Sequence, residues 1–256
     1  MSHELKQMSI NIDLAGKTAL ITGGTRGIGK AISDRLIEAG AFTIITGTKQ
    51  SEVDQLNKSI TVESINYMQL DLSDKESTLT FLSKIKVLPK IDILVNNAGI
   101  NRINLNTETT LKDYNLLNDI NLKGPYLICR EVSKIMKNNK YGRIINISSI
   151  WSSVTRSGRS LYSTTKYGLV GLTKTLSVEL ASYGILVNAV APGFTLTELT
   201  LSTNTQEEFE KMSDIIPIKR FAQPTEIGNL VLFLGSDLNT YITGQNMIID
   251  GGYTNV

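Results

Sequence analysis

Short runs of apolar, largely β-branched residues alternate with longer segments of helical period along nearly the whole chain, and this alternation leaves few folds open. The runs lie at 18–22, 43–46, 67–70, 91–96, 142–148, 186–190 and 247–249, and the helical segments at 27–39, 51–59, 74–87, 110–138, 160–182 and 224–235. Most runs are continuously apolar instead of alternating, as strands are when helices cover both faces of a parallel sheet. The expected fold is therefore α/β, a Rossmann-type doubly wound parallel sheet of about seven strands, with its ligand crevice at the carboxyl ends of the strands. Gly40 and Gly184 follow helical segments where a left-handed residue would end each helix.

At 256 residues, and with no linker rich in Pro, Gly or Ser, the chain reads as one domain over 14–256 preceded by a flexible polar extension over 1–13. A net charge of +2 with 20% charged residues gives no field that calls for nucleic acid. No apolar run reaches the length of a bilayer crossing, and the expected setting is cytoplasmic, without a membrane partner. The single cysteine, Cys129, reads as core, and the single histidine, His3, lies in the extension. Histidine-based catalysis is thus excluded, and no metal site is expected.

Two features point to chemistry. The first strand runs into Thr22-Gly23-Gly24-Thr25-Arg26-Gly27-Ile28-Gly29 and then a helix, the setting in which glycines let backbone amides approach a pyrophosphate. The spacing is not that of the common G-x-G-x-x-G fingerprint, and a turn that only packs strand on helix is the alternative. Tyr162 and Lys166 stand four residues apart, about one turn on one helix face. An ammonium beneath a phenol lowers its pKa, each unit needing about 1.4 kcal/mol, and so prepares a proton donor for a carbonyl that accepts hydride.

With these motifs the chain resembles the short-chain dehydrogenases/reductases, in particular the branch of 3-oxoacyl-[acyl-carrier-protein] reductases. Its glycine motif matches Thr22 to Gly29, its N-N-A-G matches Asn96-Asn97-Ala98-Gly99, its Y-x-x-x-K matches Tyr162 and Lys166, and its P-G matches Pro192-Gly193. The resemblance implies a catalytic set of Asn121, Ser149, Tyr162 and Lys166. Ser149 would hold the substrate oxygen, Lys166 would also bind the nicotinamide ribose, and Asn121 would either place a relay water or shape a helix kink. It implies cofactor contacts from Thr22, Gly23, Thr25, Arg26, Gly27, Ile28, Gly29, Asp71, Leu72, Asn97, Ala98, Gly99, Tyr162, Lys166, Pro192, Gly193, Thr195 and Thr197. Asp71 would meet the adenine amino group, or else make a turn.

Cofactor choice is read at the end of the second strand, where an acidic residue would favour NAD. The chain has Thr46-Gly47-Thr48-Lys49, and Arg26, Thr48 and Lys49 would suit the 2′-phosphate of NADP(H). Residues 194–212 resemble the family's substrate lid, and Phe194, Trp151, Arg156 and Arg159 are substrate candidates. The two arginines would meet an anionic substrate, or else point to water or a neighbouring subunit; Arg102 has the same two readings. The expected activity is NADPH-dependent interconversion of a carbonyl and a secondary alcohol, a 3-oxoacyl thioester first. The alternatives are a sugar, polyol or sugar-nucleotide dehydrogenase, and a non-catalytic dinucleotide-binding regulator. The resemblance also implies a homotetramer, or a homodimer, paired through the helices at 110–138 and 160–182.

Overall fold

A computed structural model of the chain describes residues 11–198, 200 and 205–256. The seven runs form strands β1 (Thr18–Ile21), β2 (Phe42–Gly47), β3 (Ile65–Gln69), β4 (Ile93–Asn96), β5 (Gly142–Ile147), β6 (Ile185–Pro192) and β7 (Asn246–Ile249). They make one parallel sheet in the order β3-β2-β1-β4-β5-β6-β7. The α-helices are α1 (Gly27–Glu38), α2 (Gln50–Ser59), α3 (Lys75–Lys86), α4 (Leu111–Asn118), α5 (Gly124–Asn139), α6 (Ser160–Leu180), α7 (Gln206–Asp214) and α8 (Pro224–Gly235), with short 3-10 and π turns besides.

The strands are apolar throughout because both of their faces are covered. Leu20, Leu94 and Ile144 pack with Phe81, Ile85, Val132 and Met136 of α3 and α5, whereas their neighbours Ile21, Ile93 and Ile145 pack with Ile32, Leu36, Ile227 and Val231 of α1 and α8. Each such side chain contributes about 1.5–3 kcal/mol when fully buried, so neither layer can be dispensed with. Cys129 belongs to the first layer, and burial pushes its thiol up to about 12, so it remains protonated core.

The strand order reverses between β1 and β4, on either side of which the chain leaves in opposite directions to β2 and β5. Register pairs Ile21 with Val95 and Asn96 with Asn146, bringing Thr22, Asn97 and Ser148 out at one edge. Asn96 donates to the Asn146 side chain at 2.8 Å and Asn146 donates to Thr173 of α6 at 2.9 Å, a buried polar line that ties three elements just beneath the crevice.

Two helix boundaries need correction, and two further segments are placed only in part. The helix expected over 110–138 is two helices joined by a π-helical turn at Asp119–Lys123, with Asn121 buried inside it. The helix expected over 160–182 ends as an α-helix at Leu180 and tightens into a 3-10 turn over Ala181–Tyr183 before Gly184. The expected extension over 1–13 lies outside the described residues as far as residue 10, His3 included, while Ile12 already packs on the second core layer. Within the expected lid, where 199 and 201–204 lie outside the described residues, α7 forms at 206–214 on a Thr205–Glu208 capping box.

Gly184 is left-handed at φ +74, and a Cβ there would stand 2.7 Å from the Lys140 carbonyl oxygen. Gly184→Ala is expected to destabilise the protein by about 2 kcal/mol in denaturant unfolding, with an unchanged far-ultraviolet circular dichroism spectrum.

Candidate active site

The crevice at the β1/β4 switch is built on one hydroxyl. Thr22 Oγ1 accepts from the Asn97 and Ala98 amides at 3.0 and 3.1 Å, and the Asn97 side chain donates back to the Thr22 and Gly23 carbonyls at 3.0 Å each. The ends of β1 and β4 are thereby locked together. Gly23 is left-handed at φ +63, and its amide donates to Thr46 Oγ1 at 3.0 Å, tying in the end of β2. A Cβ on Gly29 would fall 2.2 Å from the Gly23 carbonyl oxygen, so only glycine lets α1 begin this close to the strand.

α1 starts at Gly27 with no side-chain cap and no acidic residue in its first turn. Its first amides are free to face an anion, and the surrounding cradle is one that side chains would fill. The residues present therefore fit a dinucleotide pyrophosphate. Thr197 joins them, since its methyl would lie 3.6 Å from a Cβ on Gly27. The Thr197 hydroxyl shares a 2.8 Å hydrogen bond with Thr200, and the nearby Thr195 is buried and donates to the Gly193 carbonyl at 3.2 Å.

Lys166 and Tyr162 lie on α6, one turn apart and facing the crevice. Lys166 is 4% exposed, and its ammonium donates to the Ile147 carbonyl at the end of β5 at 2.8 Å. Its nitrogen is 5.6 Å from the centre of the Tyr162 ring and would be 3.5 Å from a Cβ on Gly99, so Gly99 leaves the space in front of it. Burial lowers the Lys166 pKa to about 8.

Burial also raises the Tyr162 pKa, opposed first by a hydrogen bond with Ser149 and then by the charge of Arg159. The Lys166 ammonium is held on the Ile147 carbonyl, and the phenol, its pKa raised, is a neutral acid at pH 7.

Ser149 is buried where β5 gives way to a short turn, and its Oγ accepts from the Trp151 amide at 3.3 Å. Asn121 accepts from the Ile100 amide at 2.9 Å and donates to the Ile100 carbonyl at 2.9 Å and to Thr165 Oγ1 at 3.2 Å. The π turn thus carries Asn121 inward, where it fastens the segment after Gly99 to α6. Its place inside the π turn goes with the reading of Asn121 as a shaper of the kink.

Other candidates are placed less centrally. Asp71 Oδ1 accepts from the Ser73 amide and hydroxyl at 2.9 and 2.6 Å, so this carboxylate makes a turn. Leu72 is core, and Gly124 makes room for it. Lys49 is exposed and paired with Glu52 at 3.0 Å; Arg26 and Thr48 are exposed. Arg102 pairs with Asp113 at 3.1 Å. Arg156 is exposed, its guanidinium 5.3 Å from the centre of the Trp151 ring, whereas Arg159 is buried. Trp151 is buried, and Phe194 packs edge-on against Tyr253 with ring centres 5.2 Å apart.

Sequence reasoning missed Tyr253, which also meets Trp151 edge-on at 6.4 Å and lines a pocket with it. It missed Thr165, whose hydroxyl donates to the Tyr162 carbonyl at 2.8 Å while accepting from Asn121. Thr165 sits inside the Tyr162–Lys166 spacing, and its helical face carried the signal. Among the described residues no group of three or more His, Cys, Asp or Glu could hold a metal ion.

A dinucleotide crevice beside a tyrosine, lysine and serine defines a class of oxidoreductase, and comparison with known proteins agrees. A family profile described as "Enoyl-(Acyl carrier protein) reductase" matches residues 23–254. The 3-oxoacyl-[acyl-carrier-protein] reductase of Aquifex aeolicus is 40% identical over 247 residues, covering 95% of this chain and 99% of the relative. That of Rickettsia felis is 42% identical over 245 residues, covering 94% and 98%.

Among solved structures, a putative gluconate dehydrogenase from Agrobacterium tumefaciens superposes with a TM-score of 0.88 at 32% identity, covering 97% of this chain and all of the other. A putative NAD(P)-dependent gluconate 5-dehydrogenase from Beutenbergia cavernae, solved with NADP, gives 0.87 at 30% identity, covering 95% and 99%. The chain belongs to the short-chain dehydrogenases/reductases. It is an oxidoreductase that uses a nicotinamide dinucleotide.

The dry Lys166 makes a stability prediction. Folding depresses this cation's pKa from 10.5 to about 8, so the folded state binds fewer protons between those values. The cost is complete below pH 8 and vanishes above the unfolded value. Lys166→Met is therefore expected to raise stability by about 1–3 kcal/mol at pH 7, a gain that shrinks as pH rises towards 10.5. Melting temperatures measured across that range check it.

Proposed function

We propose that this protein is an NADP(H)-dependent carbonyl reductase acting through Tyr162, Ser149 and Lys166, with a 3-oxoacyl thioester as its first candidate substrate. The observation that carries the chemistry is the dry Lys166 ammonium one turn from Tyr162, with the Ser149 hydroxyl against the phenol. When bound, the reduced nicotinamide supplies hydride to the carbonyl carbon. Tyr162 gives its hydroxyl proton to the carbonyl oxygen, so that carbonyl, NADPH and a proton become secondary alcohol and NADP⁺.

Ser149 donates to the same oxygen as charge gathers there. The phenolate left on Tyr162 is stabilised by Ser149 and by the cations Lys166 and Arg159, and is reprotonated before the next turnover. Asn121 acts at one remove, keeping Ile100 and α6 in register so that Gly99 and Lys166 face the same space.

The glycine loop, with Arg26, Ile28, Asn97, Ala98, Pro192, Gly193, Thr195 and Thr197 around it, would hold the dinucleotide. Preference for NADP(H) is supported by the missing acid after β2 and by two exposed cations, Arg26 and Lys49. The Lys49–Glu52 pair is exposed and worth at most about 1 kcal/mol, so a 2′-phosphate can take the lysine from it. Residues 194–212 are proposed to close over the substrate.

The thioester reading is supported by the names of the curated relatives. A second reading, a sugar acid, is favoured by the gluconate dehydrogenase structures and by the buried, unpaired Arg159. Assembly as a homotetramer is proposed through α5 and α6, which expose Tyr126 and Tyr167 beside an apolar groove of about 470 Å³. The proposed setting is the cytoplasm, and no described helix is long and apolar enough to cross a membrane.

Tyr162→Phe is expected to lower kcat/KM for carbonyl reduction by about a thousandfold or more, with NADPH binding retained. A fully active variant would refute the assigned proton donor. Replacing Arg26 or Lys49 by alanine is expected to raise KM for NADPH by about tenfold and leave NADH unaffected. Faster turnover with NADH than with NADPH at equal low concentration would contradict the cofactor preference.

A further inference from the structure

Arg159 is 6% exposed, yet its Nε and Nη1 are buried without a hydrogen-bond partner. Its guanidinium lies 5.2 Å from the centre of the Trp151 ring, and that of Arg156 lies 5.3 Å from the same ring. An aromatic face attracts a guanidinium but cannot accept its in-plane N–H groups, and a second guanidinium nearby adds repulsion that an anion would relieve. A surface arginine would turn to water instead.

The position is specific. Arg159 sits at the N-terminal end of α6, three residues before Tyr162, where residues share a helix face and a helix favours anions. Its charge acts on the Tyr162 and Tyr253 hydroxyls. Trp151 and Tyr253, with Val154, Thr155 and Val256, line a pocket of about 370 Å³, large enough for a small organic acid, which Arg159 does not line but adjoins through the Trp151 ring.

We propose that Arg159 anchors the substrate by taking a carboxylate a few bonds from the carbonyl that is reduced at Tyr162, which makes the substrate an oxo acid and the product a hydroxy acid. A planar guanidinium with two free N–H directions meets a carboxylate through paired hydrogen bonds, which a neutral ester or thioester carbonyl cannot match. This rests on the reading of Tyr162 as the proton donor and deepens the second substrate reading, that of an acid, against the thioester named first. Arg156, exposed and also near the Trp151 ring, reinforces the positive field without being buried for it.

The test uses the full chain with NADPH and a panel of 2-oxo and 3-oxo acids, each beside its methyl ester, with a 3-oxoacyl thioester alongside. An acid is expected to exceed its ester in kcat/KM by about a hundredfold or more, and Arg159→Gln to remove that preference chiefly through KM. Arg159→Lys, which keeps the charge but not the fork, is expected to recover part of it. Thermal unfolding confirms that both variants fold.

Trp151 is the chain's single tryptophan, so its fluorescence reports the same site without turnover. A hydroxy acid should saturate a change in emission in the NADP⁺-loaded wild type and not in Arg159→Gln. Esters reduced as well as acids, equal losses for acid and ester in Arg159→Gln, or no acid either reduced or perturbing Trp151 would each overturn the proposal. Thioester reduction without acid reduction would overturn it while the carbonyl reductase reading stands. Intact NADPH binding with every carbonyl untouched would bring down that reading and this proposal together.

Discussion

The Lys166 ammonium is taken out of water and held on the Ile147 carbonyl at 2.8 Å, and much of the surrounding architecture serves to keep it there. Its carbonyl partner comes from the end of β5, its neighbour Thr165 is pinned by Asn121 from the π turn, and Gly99 from the end of β4 leaves the space in front of it. Burying such a charge opposes folding, and the two packed layers of the sheet are what offset it. The depressed pKa of about 8 then follows from position alone, with no other charged group required to explain it.

The same economy joins cofactor and reaction sites. The Thr22 hydroxyl, accepting two amides from the β4 end, fixes the glycine loop to the segment leading to Gly99. The surface where a pyrophosphate fits and the space before Lys166 are therefore parts of one hydrogen-bonded unit at the strand-order reversal. A displaced glycine loop would be felt at Tyr162 through Asn97, Gly99 and Asn121.

The fold was legible because it depends on period and punctuation. Strands apolar on both faces and left-handed glycines at helix ends are local facts, and Gly40 and Gly184 do adopt positive φ. The candidate site was legible as a set of residue types, because its glycines, its tyrosine and its lysine sit at fixed spacings. What was hidden depends on packing between distant segments. The π turn interrupts a helical pattern without changing its apolar period, and Tyr253 reaches Trp151 across some hundred residues of sequence. Burial separates Arg159 from Arg156, which looked alike in one loop. The α7 helix is not foreseen although Thr205 and Glu208 spell a capping box, because resemblance to a substrate lid specifies no secondary structure.

The measurement that tests the central claim most directly is a single-turnover experiment, with NADPH bound to an excess of enzyme and mixed with a carbonyl compound while cofactor absorbance and alcohol product are followed together. The account predicts that one alcohol forms for each NADPH consumed, for a thioester or an oxo acid. NADPH that binds tightly yet stays reduced in the presence of every carbonyl tried would contradict it.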